Sequence, residues 1–228
     1  MADPVVFVHG VGRAGADAWP AQASEAPENW VFLQRRSITD SPEEDAQRII
    51  ELLRSSGPGH VVAHSYGAIA AIMAARQQPE WATTLTLVEP ACFDLARGYP
   101  AVEDHIAAMG PVFAVRDDPT VSSREFSRRF AQAMGTEPPD VPDDVLEDRV
   151  GRLRATPQPW GVLPGAQSDL PAPTVVLTGG WSDLYEEVAE SLVQRGAVHE
   201  QLTGYGHRVQ DHPDATARMV QHWTGARP

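Results

Sequence analysis

The sequence predicts an α/β fold in which a mostly parallel sheet is flanked by helices and carries an inserted helical cap. Short apolar runs alternate with helix-like segments through the first 91 residues, which is the pattern of a parallel sheet wrapped by helices. The same alternation returns after residue 169. Between these two stretches no strand-like run is found, and the linkers are rich in proline. The cap is therefore predicted between two halves of one core.

Six apolar runs, most of them β-branched, predict the strands. They cover residues 5–8, 30–33, 60–63, 85–88, 174–177 and 198–202. Helices are predicted between and after them at residues 14–24, 42–57, 66–77, 185–194 and 213–223. The second helix has the clearest start, because Ser41 is a good N-cap, Pro42 fits the first position and two acidic residues follow.

The cap is predicted over residues 92–168, and the core over residues 1–91 and 169–228. Two helical stripes lie within the cap. The first begins with Ser122 and Glu125 at capping-box spacing, and the second is formed by Leu146, Val150 and Leu153. Otherwise the helical segments of this stretch are predicted to be short and polar.

Composition excludes several classes of function. The net charge of -13 argues against nucleic acid or an anionic membrane as the main partner, since both are polyanions. All 18 basic residues are arginine, which excludes Schiff-base lysine chemistry and a phosphate-loop lysine. The single cysteine, Cys92, allows no internal disulfide and no cysteine-based metal site. With no secretory-signal pattern at the N-terminus and no apolar run of membrane-spanning length, we expect a cytoplasmic protein.

Ser65 is the candidate nucleophile. It lies in the segment VVAHSYGAIAA, between a predicted strand and a helix of small residues. A serine at such a turn projects its hydroxyl above the sheet edge, and the turn requires small residues two positions before and after it. Ala63 and Gly67 meet this requirement, whereas Leu53 excludes the other Ser-x-Gly match, at Ser55.

With these motifs the chain resembles the α/β-hydrolase superfamily over nearly its whole length apart from the cap. VFVHGVG is similar to the family's third strand and the HG turn after it, and AHSYG is similar to its nucleophile turn. Ala63 stands where glycine is commoner. Because the sequence starts at the HG strand, the resemblance implies a short version of the core, which we expect to lack the family's first two strands.

The resemblance implies a triad in the order serine, acid, histidine. His207, in GYGHRVQDHPD, is similar to the family's terminal Gly-His loop, and His212 is its main competitor. Asp183, after the strand TVVLTGG, is the preferred acid, while Glu89, after LTLVEPA, is the alternative. The oxyanion hole is expected from the backbone N–H groups of Val11 and Tyr66. His9 and His64 are expected to be structural rather than proton carriers.

The expected function is hydrolysis of a small, apolar carboxylic ester through an acyl-enzyme, with no metal or organic cofactor. A thioesterase, lactonase, C–C bond hydrolase, perhydrolase or lyase on the same triad is the alternative, and a non-catalytic ligand-binding protein is a further one. Epoxide hydrolases and haloalkane dehalogenases of the family use aspartate where this chain has Ser65, which argues against both. Aromatic and thioether side chains of the cap and of the loop after the fifth strand are expected to line the pocket: Met109, Phe113, Phe126, Phe130, Trp160 and Trp181.

Overall fold

A computed structural model describes residues 2–35, 41–163 and 169–225 of the chain. Its sheet has six strands, all parallel, in the order β2-β1-β3-β4-β5-β6. This confirms the predicted α/β fold. The strands are β1 (Val5–Val8), β2 (Trp30–Phe32), β3 (Gly59–His64), β4 (Ala82–Val88), β5 (Thr174–Thr178) and β6 (Val198–Gln201).

Eight α-helices and three short 3-10 helices occur in the described residues. The α-helices are α1 (Pro20–Ser24), α2 (Pro42–Ser56), α3 (Gly67–Gln77), α4 (Pro100–Ala114), α5 (Ser123–Ala133), α6 (Asp143–Ala155), α7 (Asp183–Val193) and α8 (Ala215–Gly225). The 3-10 helices are Gly15–Ala18, Phe93–Ala96 and Val209–Asp211. The single helix expected at residues 14–24 is therefore two pieces, the first of them 3-10.

The four inner strands, β1, β3, β4 and β5, are buried on both faces because their side chains alternate between two helical layers. Val6 and Val8 of β1 point into a core shared with α2, α3 and α7. Val5 and Phe7 point to the opposite core, which contains Trp223 of α8. The near-continuous apolar runs of the sequence reflect this two-sided burial.

The cap lies between β4 and β5 and consists of α4, α5 and α6. It has a small hydrophobic core of its own, formed by Val112, Phe126, Leu146 and Val150. The long helix α4 differs from the expected short, polar segments. It contains Pro111, and a proline normally ends a helix because it has no N–H to donate to the carbonyl one turn earlier. Pro111 is exposed, so this carbonyl lies on the solvent side of the helix. The predicted end of the cap, at residue 168, lies outside the described residues.

The chain returns from the cap to the core through a clamp on Asp94. Its carboxylate accepts backbone N–H groups from Gly161, Val162 and Leu163, at 2.7–2.8 Å. Asp94 is buried in the 3-10 helix that leads out of the core, so both connections of the cap meet at one place. Among the described helices, none is long and apolar enough to span a lipid bilayer.

The start of α3 must pack very close to β1. A Cβ added at Gly67 would lie 2.7 Å from the carbonyl oxygen of His9 and 2.9 Å from that of Val8. Backbone atoms cannot yield to such a contact as a flexible side chain can. We therefore expect Gly67→Ala to lower the free energy of unfolding by about 1–3 kcal/mol, measured by chemical denaturation.

Gly151, inside α6, is the matched control, because a Cβ there meets nothing within 4 Å. Gly151→Ala is expected to raise the free energy of unfolding by about 0.5–1 kcal/mol, as alanine is the better helix former. If both variants were stabilised alike, the close approach at Gly67 would not constrain the fold.

Candidate active site

Three loops at the carboxyl edge of the sheet bring Ser65, His207 and Glu89 together. Ser65 follows β3, Glu89 follows β4, and His207 lies after β6. The Oγ of Ser65 is 3.0 Å from Nε2 of His207, and Nδ1 of His207 is 3.3 Å from Oε2 of Glu89. This edge of a parallel sheet is where α/β proteins bind their ligands.

Backbone strain is confined to the same site. Ser65 (φ 53°) and Glu89 (φ 45°) are the non-glycine residues with positive φ in the described part of the chain. Neighbouring strands hold both turns, since the Ser65 N–H donates to the Val88 carbonyl and the Glu89 N–H to that of Leu177. Such left-handed residues persist only where the surrounding structure determines them. The strain places the hydroxyl and the carboxyl above the ends of their strands.

Two aromatic rings hold the His207 imidazole in place. The Tyr185 ring lies 4.7 Å from it and the His64 ring 4.8 Å, measured between centroids. His64 also donates from Nε2 to the His207 backbone carbonyl at 2.8 Å. His64 is buried, and its pKa lies well below the usual value because of that burial and the nearby His207. It acts as a neutral donor that anchors the histidine loop.

Glu89 is fully buried and accepts hydrogen bonds from the β5 loop. The Gly179 N–H donates to Oε1 at 2.6 Å, and the Trp181 indole N–H donates to Oε2 at 2.9 Å. Burial raises the pKa of Glu89 to about 7, although these two hydrogen bonds oppose the rise. The carboxylate therefore carries its charge in a dry environment only because several donors face it.

Asp183 does not join this cluster, which corrects the preference drawn from the sequence. It is exposed and forms the first residue of α7, where a negative charge is favourable at the helix N-terminus. The β5 loop instead contributes Gly179 and Trp181 as donors to Glu89. Asp183 was the expected acid because of its position after β5 and the Gly-x-x-Asp pattern of its loop, while the signal for Glu89 was its place directly after β4.

The histidine is held neutral. Burial lowers the pKa of His207 to about 4, with a smaller contribution from the positive charge of Arg208. A neutral His207 that carries its proton on Nδ1 donates to Glu89 and can accept the Ser65 hydroxyl proton on Nε2. This arrangement is suited to general-base chemistry on a serine.

The backbone N–H groups of Val11 and Tyr66 are the donors expected to form the oxyanion hole. In the described residues neither N–H has a hydrogen-bond partner, and both residues line the same cavity as Ser65. Unpaired amides next to a nucleophile can accept a developing negative charge. Their role as the oxyanion hole stays a prediction.

The cavity above Ser65 has a volume of about 420 Å³ and is lined mainly by apolar side chains. Of the predicted pocket residues, it is lined by Met109, Phe113 and Phe130. The other three are placed elsewhere. Phe126 is buried in the cap core, Trp160 packs edge-on behind Phe113 with centroids 5.3 Å apart, and Trp181 binds Glu89 at the surface.

Several cavity residues were missed from the sequence because they come from distant turns and cap positions: Arg13, Phe93, His105, Met134, Arg149 and Leu153. His212, the competing histidine, lies away from Ser65 and accepts the Asp214 N–H on Nδ1. Among the described residues, no group of three or more His, Cys, Asp or Glu side chains is arranged to hold a metal ion.

The chain belongs to the alpha/beta hydrolase family, which it matches over residues 5–219. This confirms the resemblance found in the sequence motifs. No curated protein sequence matches the chain.

Solved structures with the same fold cover almost the whole chain. A mutant of an epoxide hydrolase from Bacillus megaterium has a TM-score of 0.68 at 13% identity, covering 97% of this chain and 92% of that one. A structure described with carboxylesterases of Nitrososphaera gargenis has a TM-score of 0.66 at 13% identity, covering 99% and 90%. NosK from Streptomyces actuosus has a TM-score of 0.61 at 18% identity and covers 99% of both chains. At these identities the similarity establishes the fold alone.

We expect Glu89→Gln to lower kcat for ester hydrolysis at pH 8 by about 10²–10⁴-fold, since the His207 tautomer and the imidazolium lose their carboxylate partner. The substitution should also shift the acid limb of the pH profile of kcat/KM to lower pH. In the wild type, activity should fall below about pH 7, because the raised pKa of Glu89 lets the His207–Glu89 pair take up a proton there. Without the carboxyl, only His207 titrates, and its pKa is about 4.

Asp183→Asn is the control, and its rate should stay within about twofold of the wild type. The measurement is kcat and kcat/KM from pH 4 to 9 for the three proteins with one p-nitrophenyl ester. A large loss in Asp183→Asn with a small one in Glu89→Gln would assign the acid to Asp183 instead.

Proposed function

We propose that this protein is a serine hydrolase that cleaves carboxylic esters through an acyl-enzyme on Ser65. The observation that carries the proposal is the continuous hydrogen-bonded series from Ser65 Oγ through His207 to Glu89. Ser65 and His207 line a largely apolar cavity that fits a small organic substrate. Membership of the alpha/beta hydrolase family supports it.

In the first half-reaction, His207 Nε2 removes the Ser65 hydroxyl proton while Oγ attacks the ester carbonyl carbon. The carbonyl oxygen becomes negative, and the N–H groups of Val11 and Tyr66 stabilise it by hydrogen bonding. When the tetrahedral intermediate collapses, the C–O bond to the alcohol breaks and the alkoxide takes the proton from His207. The acyl group stays on Ser65.

In the second half-reaction, a water molecule gives a proton to His207 and attacks the acyl carbon. When the second tetrahedral intermediate collapses, its bond to Ser65 Oγ breaks, Oγ takes the proton from His207, and the carboxylic acid is released. During both steps Glu89 stabilises the imidazolium form of His207. The cap side chains Met109 and Phe113 keep the reacting centre partly dry, which strengthens these interactions.

A fluorophosphonate probe tests the proposal directly. It should label the folded wild type at one site, because the activated Ser65 Oγ displaces fluoride at phosphorus. Ser65→Ala should not be labelled, and mass spectrometry of the wild type should locate the adduct on Ser65. Labelling is expected to be slow in Glu89→Gln.

Hydrolysis should be measured beside labelling with p-nitrophenyl esters of increasing acyl length, a thioester and a lactone. Fastest turnover of an oxygen ester supports the ester assignment. A thioester or lactone preferred by more than about tenfold would reassign the bond type, and a folded wild type that neither labels nor hydrolyses would be a binding protein.

A further inference from the structure

The charged side chains that line the cavity above Ser65 are positive, whereas the chain as a whole is negative. Three arginines line it, Arg13, Arg149 and Arg208, whereas no Asp or Glu does so among the described residues. The whole chain carries a net charge of -13. Arg208 is neutralised by Asp211, with an N–O distance of 2.6 Å. The remaining two arginines give the cavity a positive local potential within an acidic protein.

Arg149 differs from the other arginines of the cap. Six of the seven arginines between residues 116 and 154 bind acidic side chains or backbone carbonyls of the cap itself: Arg116, Arg124, Arg128, Arg129, Arg152 and Arg154. Arg149 has no such partner in the described residues. It lies one turn before Leu153 on α6, and both side chains line the cavity.

The two arginines reach the cavity from different parts of the chain, and both are in contact with solvent. Arg149 belongs to the cap and Arg13 to the loop after β1. The cavity wall also contains Met109 and Phe113, which are apolar, and His105, which burial keeps neutral by lowering its pKa to about 4. A ligand would therefore meet positive charge at the entrance and apolar surface beyond it.

We propose that the substrate is an ester with an apolar chain whose far end carries a carboxylate, held by Arg149 and Arg13 at the cavity mouth. A guanidinium pairs with a carboxylate through two parallel N–H donors, which fixes orientation as well as charge. The apolar chain then occupies the space under the cap while the ester reaches Ser65. This inference rests on the proposed function and refines its substrate class.

The test compares esters that differ only in the far-end charge. On the acyl side, p-nitrophenyl hydrogen suberate is compared with its methyl-capped twin by p-nitrophenolate release. On the alcohol side, 8-acetoxyoctanoic acid is compared with its methyl ester by acetate release. We expect kcat/KM for the acid to exceed that for its neutral twin by about tenfold in at least one pair at low salt. The preference should shrink as salt increases.

Arg149→Gln and Arg13→Gln should each reduce that acid-to-neutral ratio by about threefold or more. Arg124→Gln is the matched control, since Arg124 is also an exposed cap arginine but pairs with Asp143 outside the cavity wall. It should leave the ratio unchanged. A ratio near or below one in both pairs, or one that neither cavity variant changes, would overturn the inference. If neutral esters are still hydrolysed and Ser65 still labels, the proposed function would stand without it.

A second observation concerns the peptide unit that carries the Val11 N–H. The Gly10 carbonyl of that unit accepts the His9 Nδ1–H at 2.6 Å and an N–H of Arg35 at 3.3 Å. A trans peptide is planar, so its carbonyl and N–H point in opposite directions. Fixing the Gly10 carbonyl therefore fixes the direction of the Val11 N–H.

Arg35 is itself held rigidly. Its Nε donates to Asp45 at 2.6 Å, and Asp45 is fully buried on α2. The guanidinium carbon also lies 5.8 Å from the centroid of the Tyr66 ring. One arginine thus joins α2, the HG turn and the residue after Ser65.

We infer that Arg35 is a positioning residue that aims the Val11 N–H at the substrate carbonyl oxygen. It does not touch substrate and acts through the Gly10 peptide. Like the first inference it rests on the proposed function, because an oxyanion forms only if an ester is cleaved there.

Arg35→Lys tests this role because it keeps a positive charge beside Asp45 but loses the fork that reaches both Asp45 and Gly10. We expect kcat to fall by about tenfold or more while KM stays within about twofold, since only the transition state carries the negative oxygen. Arg35→Ala should regain part of its kcat when guanidinium ion is added at millimolar concentrations. A loss caused only by destabilisation would not be rescued in this way.

Arg48→Lys is the control, because Arg48 also pairs with Asp45, at 3.4 Å. It should keep wild-type kcat. Equal losses of kcat in the two lysine variants, or an unchanged kcat in Arg35→Lys with an active wild type, would overturn the positioning role. If the wild type hydrolyses no ester, the proposed function fails first.

Discussion

The close packing of α3 against β1 is the constraint on which the site depends. Gly67 brings the helix so near the carbonyls of Val8 and His9 that no side chain fits between them. The chain enters the helix at this distance through a left-handed Ser65, whose φ is 53°. The same approach sets the HG turn beside the Tyr66 N–H. Ser65 and the Tyr66 N–H are therefore positioned by the backbone contact between α3 and β1.

The surroundings of Glu89 show that neighbouring strands build the site together. Glu89 comes from β4 but is hydrogen-bonded by Gly179 and Trp181, which follow β5. Desolvation opposes its charge, and these donors together with the His207 ring restore part of the lost hydration. A carboxylate placed in this way has a pKa sensitive to each donor. The loop after β5, which was expected to contain the acid Asp183, instead donates hydrogen bonds to Glu89.

The sequence was sufficient for the parts that depend on local pattern. The six strands, the order of elements and the turns that bring Ser65 close to His207 follow from apolar runs, small residues around a turn and a Gly-His loop. Which carboxylate lies beside His207 did not follow, because two carboxylates stand after adjacent strands and only the three-dimensional path of the loop distinguishes Glu89 from Asp183. The length of helix α4 and the places of Arg13 and Arg149 in the cavity wall could not be predicted from the sequence either, since they depend on how the cap packs over the core.

The clamp at Asp94 has a consequence for how such a protein can diversify. Helices α5 and α6 and the end of α4 pack around a hydrophobic centre separate from those of the sheet, and the chain leaves and re-enters the core beside a single carboxylate. Substitutions in α5 and α6 therefore alter the cavity wall at positions that do not pack against the strands before Ser65 and Glu89. In a fold of this kind, evolution can change which ligands the cavity binds while Ser65, His207 and Glu89 keep their arrangement.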